Sequence, residues 1–124
     1  MAKENYSSLA EVSTKEVVLS FIDALNNMDF KAARGLVNND MSFVGVLGSR
    51  NGAEAYFNDM ERMRLKYDVK KAFVDEDDVC LLYDLTMADI TLFGCGWYHL
   101  EGGKISSIRV IFDPRPILEL PPKK

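Results

Sequence analysis

Apolar residues Val17, Val18, Phe21, Ile22, Leu25 and Met28 recur at helical spacing, which predicts an amphipathic helix over residues 14–27. Ser13 followed by Glu16 has the spacing of a capping box and marks its start. Asn26, Asn27 and Asp29 break that helix. Asp29 can then cap a second, short helix that presents Ala33, Leu36 and Val37 and ends at Asn38-Asn39-Asp40. The stretch MSFVGVL (41–47) reads as a strand and GSRNG (48–52) as a turn. Asn51 with Glu54 offers another cap for a third helix running to about Lys66, with Tyr56, Phe57, Met60 and Met63 on its apolar side.

After Tyr67 the period changes from helical to alternating. Strands are predicted at 69–76, 79–87, 90–100 and 104–113, separated by turns at Asp77-Asp78, Ala88-Asp89 and Glu101-Gly102-Gly103. Pro114 and Pro116 stop the last one, because proline cannot donate to a ladder. The order α-α-β-α-β-β-β-β predicts an α+β domain, with three helices packed on one face of a strongly bent antiparallel sheet. A three-residue loop at 101–103 would pair Tyr98 with Ser106 and Gly96 with Ile108. Ile108, Val110 and Phe112 then share the interior face with Gly94, Gly96, Tyr98 and Leu100. A strand glycine there marks a bend or a close approach by a ligand or another backbone. The opposite face carries Phe93, Cys95, Trp97, His99, Arg109 and Ile111, an aromatic set that reads as a homodimer surface.

Acid–base chemistry needs a proton-transfer group within reach of the substrate, and the interior face of the last hairpin holds no Asp, Glu, His or Lys. His99 alternates outward, Asp84 alternates outward as a salt-bridge residue, and Asp113 reads as a turn cap. Asp59 lies one helical turn from Tyr56 and can face a pocket mouth, which makes it a weak candidate acid alongside Tyr56 and Tyr98. The predicted pocket comprises Phe21, Phe43, Tyr56, Met60 and Tyr83 from the helices and early strands. Gly96, Tyr98, Ile108, Val110 and Phe112 complete it from the last hairpin. Tyrosine hydroxyls would be its polar handles. The acidic run VDEDD (74–78) lacks the ligand spacing of a calcium loop and reads as a solvated turn. No metal, nucleotide fingerprint or cofactor is implied.

The 124 residues suit one domain, and 48% hydrophobic with 27% charged residues is ordinary for a soluble protein. A net charge of −4 argues against nucleic acid or an anionic membrane as partner. Cys80 and Cys95 can make one disulfide, or serve as small buried hydrophobes in a reducing cytosol. The first residues show no secretory h-region, so a cytoplasmic protein is expected. Mobile ends are expected at 1–12 and 119–124, flanking a domain at 13–118.

The order of elements, together with VVLSFIDALNNMDFKAARGLV, GAEAYFNDM and GKISSIRVIFD, resembles the SnoaL-like group of the nuclear transport factor 2-like superfamily, which includes ketosteroid isomerases. The resemblance covers about residues 14–113 and implies a cystatin-like cone with a pocket at its open end. Homodimers are common in that group. It also implies where catalytic groups would sit. The isomerases' oxyanion-hole tyrosine matches Phe21, their base aspartate matches Gly45, and their neutral acid matches Gly96. The cyclases' base carboxylate matches Val110, and its partner histidine also matches Gly96. The expected role is therefore binding of a small apolar molecule without the family's chemistry. The alternatives are an isomerase- or cyclase-type enzyme using an acid such as Asp59, and a dimerisation module whose cone is filled.

Overall fold

The computed structural model describes residues 2–118, with side chains from residue 13 onwards. The expected tail at 119–124 lies outside the described residues. Helix α1 (Ala2–Asn26) is followed by α2 (Phe30–Arg34), strands β1 (Val37–Val44) and β2 (Ser49–Asn51), and helix α3 (Ala53–Met63). Strands β3 (Lys66–Asp75), β4 (Asp78–Met87), β5 (Ile90–Glu101) and β6 (Lys104–Phe112) follow, then a short α4 (Arg115–Leu118). They build an α+β domain in which helices pack against a bent six-stranded sheet of order β2-β1-β6-β5-β4-β3. No described helix is long and apolar enough to cross a membrane.

Helix α1 buries Val18, Phe21, Ile22 and Leu25, the stripe that its sequence period predicts. The helix runs back to Ala2, well before the capping-box start at Ser13. Met28 closes the reversal after α1 in a left-handed conformation, and Asp29 Oδ1 accepts a hydrogen bond from Ala32 N at 3.1 Å, capping α2 as expected. At the other end of the reversal Asn26 clamps the helix to the sheet. Its Nδ2 donates to Tyr67 O at 2.8 Å, and its Oδ1 accepts from Tyr67 N at 2.7 Å.

Strands β4 and β5 alternate strictly. Val79, Leu81, Tyr83 and Leu85 point inward from β4, and Leu92, Tyr98 and Leu100 from β5, all onto the core built around α1. Turns at Glu76-Asp77 and Ala88-Asp89 join β3 to β4 and β4 to β5. Glu76 and Ala88 there take left-handed backbone.

Several sequence expectations are corrected. The β5–β6 loop is the two-residue Gly102-Gly103, both left-handed (φ +62° and +79°), since Glu101 pairs with Lys104. Ser106 is an extra residue in the ladder, so Tyr98 pairs with Ile108 and Gly96 with Val110 rather than with Ser106 and Ile108. The bulge restores the alternation, and the apolar set still shares one face. Strand β1 begins at Val37, through the Asn38-Asn39-Asp40 run expected to end a helix, and it pairs in parallel with β6. The sheet is therefore mixed, and a sixth strand, β2, occupies the expected turn at 48–52. Helix α3 is capped by Gly52 without a side-chain bond, not by Asn51, and a fourth helix follows Pro114.

Asn26→Ala is expected to lower stability by about 1–3 kcal/mol, because it leaves both backbone groups of Tyr67 without their partner. A shift of the urea midpoint at unchanged slope is the measurement that checks it.

Candidate functional site

A cavity of about 250 Å³ opens between the inner face of β3–β6, helix α3 and the 45–50 segment. Alternation on β4, β5 and β6 aims Tyr83, Tyr98, Ile108, Val110 and Phe112 at it, while the apolar side of α3 supplies Tyr56 and Met60. Phe43 closes one wall, with its ring 5.3 Å from that of Tyr56. Phe21 sits in the core beneath, edge-on to Tyr98 and stacked on Tyr56, rather than among the lining residues. Lining residues that the sequence pattern did not single out are Val46, Leu47, Arg50, Arg62, Leu65, Tyr67, Leu85, Met87, Leu92 and Ile117, among others. Tyr67 had a usable signal, since its alternation with Asp68 and Val69 extends β3 backwards by one pleat.

Gly96, expected in the pocket, is not among the lining residues either, because the Tyr98 and Tyr83 phenols lie over it. A Cβ added there would lie 2.7 Å from Tyr98 Oη and 2.9 Å from Tyr83 Oη. Only a glycine leaves room for both phenols to converge over the β5 backbone. The Tyr67 ring meets the Tyr83 ring edge-on at 5.1 Å. Burial pushes the Tyr83 hydroxyl up to about 12, with the nearby Tyr98 hydroxyl pulling weakly the other way. Yet Tyr83 Oη closes no hydrogen bond of acceptable geometry and is fully buried. This hydroxyl is therefore unpartnered. Such a group costs about 1–3 kcal/mol. Burial likewise holds the Tyr56, Tyr67 and Tyr98 hydroxyls well above their ordinary value.

Three charged residues stand at the mouth. Asp59 accepts from Arg50 Nε at 2.7 Å on one carboxylate oxygen and from an Arg62 guanidinium nitrogen at 2.9 Å on the other. Both oxygens are thus engaged, so Asp59 is not a free base. His99 lies on the outer face, where its Nδ1 and Trp97 Nε1 meet Asp78 Oδ1 at 2.9 and 2.8 Å. Asp78, from the acidic run, is therefore held by two side chains. Asp84 faces Lys70 Nζ at 3.7 Å, and Asp113 caps the turn before α4 by accepting from Arg115 N. On the same outer face Phe93, Trp97 and Ile111 are 60%, 52% and 63% exposed, Arg109 is exposed, and Cys95 is half-buried. Among the described residues no three His, Cys, Asp or Glu side chains gather to hold a metal ion.

A family model described as the SnoaL-like domain matches residues 18–108. An NTF2-like protein of unknown function from Cytophaga hutchinsonii is 48% identical, with 85% of this chain and 94% of that one covered, at a TM-score of 0.83. The chain belongs to the SnoaL-like domain family. More distant solved structures share the fold of this SnoaL-like domain. Bal32a, from a soil-derived mobile gene cassette, is 18% identical over 83% of this chain and 91% of that one, with a TM-score of 0.78. An epoxide hydrolase of the LEH-like type from M. tuberculosis is 20% identical over 88% and 89%, with a TM-score of 0.75. No curated protein matches the sequence.

Against that family, this SnoaL-like domain holds Phe21 buried below the cavity, Gly45 beside the Phe43 ring, Val110 on the cavity wall and Gly96 under the two phenols. None of these four side chains titrates. The cavity wall combines apolar side chains and buried tyrosines with the Asp59, Arg50 and Arg62 cluster at its mouth.

The raised tyrosines set an alkaline limit. The unfolded chain releases phenol protons near pH 10, whereas the folded SnoaL-like domain holds them, up to about 12 for Tyr83. Stability from these groups is complete below about pH 10 and is lost as pH rises further. Tyrosinate absorbance from the four buried phenols is therefore expected to appear together with unfolding. Ionisation of all four in a protein still folded by circular dichroism would contradict this.

Proposed function

We propose that this SnoaL-like domain binds a small, largely apolar molecule that carries one hydrogen-bond acceptor oxygen. The observation that carries the reading is the fully buried, unpartnered hydroxyl of Tyr83, a residue that lines a largely apolar cavity. A ligand oxygen that enters from the cavity side, with the Tyr98 phenol displaced, would accept from it and relieve that cost. The volume of about 250 Å³ sets the ligand's size. It exceeds the ~150 Å³ that admits benzene and falls below the ~300 Å³ at which drug-sized pockets begin. One or two fused rings, or a chain of similar bulk, fit that range.

Binding is favoured over proton transfer through Asp59, because two guanidinium groups occupy that carboxylate. It is also favoured over a filled cone, because the cavity walls do not close on one another.

A bicyclic ketone and its hydrocarbon parent, indanone and indane, test the reading by titration calorimetry. Indanone is expected to bind about 10-fold more tightly, the worth of one hydrogen bond. Tyr83→Phe should erase that difference and leave indane binding unchanged. If neither compound binds, or if Tyr83→Phe leaves the preference intact, the proposal fails.

We also propose that a second copy covers the outer sheet face, since Phe73, Phe93, Trp97 and Ile111 are each more than half exposed on the strands that form it. Trp97→Glu is expected to convert a dimer into a monomer in sedimentation velocity. A wild-type chain that sediments as a monomer would refute the interface.

A further inference from the structure

The outer sheet face carries two small residues among bulky ones, and they meet. Cys80 on β4 and Cys95 on β5 have their Sγ atoms 3.1 Å apart. The register pairs Cys80 with Trp97 and Leu82 with Cys95, so the two thiols are diagonal neighbours rather than opposite ones. Diagonal side chains usually stand further apart than opposed ones, and here the sulfurs have closed that gap. Both residues are half-buried, free thiols. They flank the Leu81–Gly96 pair, whose glycine lies under Tyr83 and Tyr98 on the other side of the sheet.

We infer that Cys80 and Cys95 form an oxidisable dithiol, a modification site whose substrate class is a low-molecular-weight disulfide. The sulfurs must approach by about 1 Å to reach the ~2.05 Å of a disulfide bond. In the first step, which takes place on a chain whose outer face is not covered by the second copy proposed above, one protein thiolate attacks a sulfur of the small disulfide, which forms a mixed disulfide and releases one small thiolate. In the second, the neighbouring protein thiolate attacks the protein sulfur of that mixed disulfide and expels the other small thiolate. The protein pair gives up two electrons and two protons, and the small disulfide leaves as two thiols. The short separation makes the second step intramolecular, so a mixed disulfide does not accumulate. Burial, reinforced by Cys80, pushes the Cys95 thiol up to about 11, so the exchange accelerates as pH rises above neutrality.

The bond would close a loop between residues 15 apart and tie β4 to β5 around the Leu81–Gly96 pair. Loops of about that length raise the melting temperature of a domain this size by about 10 °C when the bridge is unstrained.

The test uses the full chain, brought to equilibrium in reduced and oxidised glutathione at mildly alkaline pH. Samples are alkylated and read by intact mass and by non-reducing electrophoresis. The expected product is an intramolecular disulfide: a chain that migrates as a monomer, has lost two hydrogens and is protected from alkylation at both cysteines. It should melt about 10 °C above the reduced form. Cys80→Ser and Cys95→Ser should each abolish it. If either variant fails to fold by circular dichroism, the wild-type masses decide alone. A persistent glutathione adduct on one cysteine overturns the inference. So does a disulfide between two chains, or a pair alkylated at both thiols at every ratio of oxidised to reduced glutathione.

Discussion

The inner face of the sheet depends on the strict alternation of two adjacent strands, β4 and β5. β4 and β5 present Val79, Leu81, Tyr83, Leu85, Tyr98 and Leu100 to the interior, and α1 can seat Val18, Phe21 and Leu25 only against that surface. A slip of one residue would turn both tyrosines out to solvent and bring Trp97 and the cysteines in. Bulges in β6 at Ser106 and between Val69 and Lys71 in β3 bend the sheet without breaking the alternation. The bend leaves a concavity, and the same pleat that buries the core lines it.

What fills that concavity chemically is set by absence as much as by presence. Where the resemblance to isomerases and cyclases would place a carboxylate or an imidazole, this chain has phenylalanine, glycine and valine. Its one carboxylate on the cavity wall is locked between Arg50 and Arg62. Phenols held neutral by burial remain, and a neutral phenol offers a hydrogen-bond donor. The 48% identical relative from Cytophaga hutchinsonii is itself of unknown function, and the remoter hydrolase shares only the fold. Function therefore has to be argued from the site.

Features governed by local periodicity were legible in the sequence. The strands β4 and β5, the reversal at Ala88-Asp89, the Asp29 cap and the inward set Tyr98, Ile108, Val110 and Phe112 all follow from spacing within a few residues. Features governed by distant partners were not. Asn38, Asn39 and Asp40 join β1 because β6 lies beside them in parallel, and nothing local to that polar run announces it. Ser106 looks like an ordinary strand residue until the Gly102-Gly103 turn fixes the register and leaves it over. Asp59 reads as a candidate acid on its own helix. Arg62 was within reach as an i+3 partner, but Arg50 arrives from β2, a strand with no hydrophobic pattern to betray it.

Gly96 also constrains how this sequence can change. A carboxylate introduced at that position would have to occupy the volume already taken by Tyr98 Oη and approached by Tyr83 Oη. A side chain at position 96 and the two phenols compete for one space, so an acid at this position requires Tyr98 to move as well. Tyr98 would first have to shrink or turn away, opening a hole in the core beside Phe21 that has its own cost. The glycine thus couples two positions of the chain: residue 96 can grow only where residue 98 gives way.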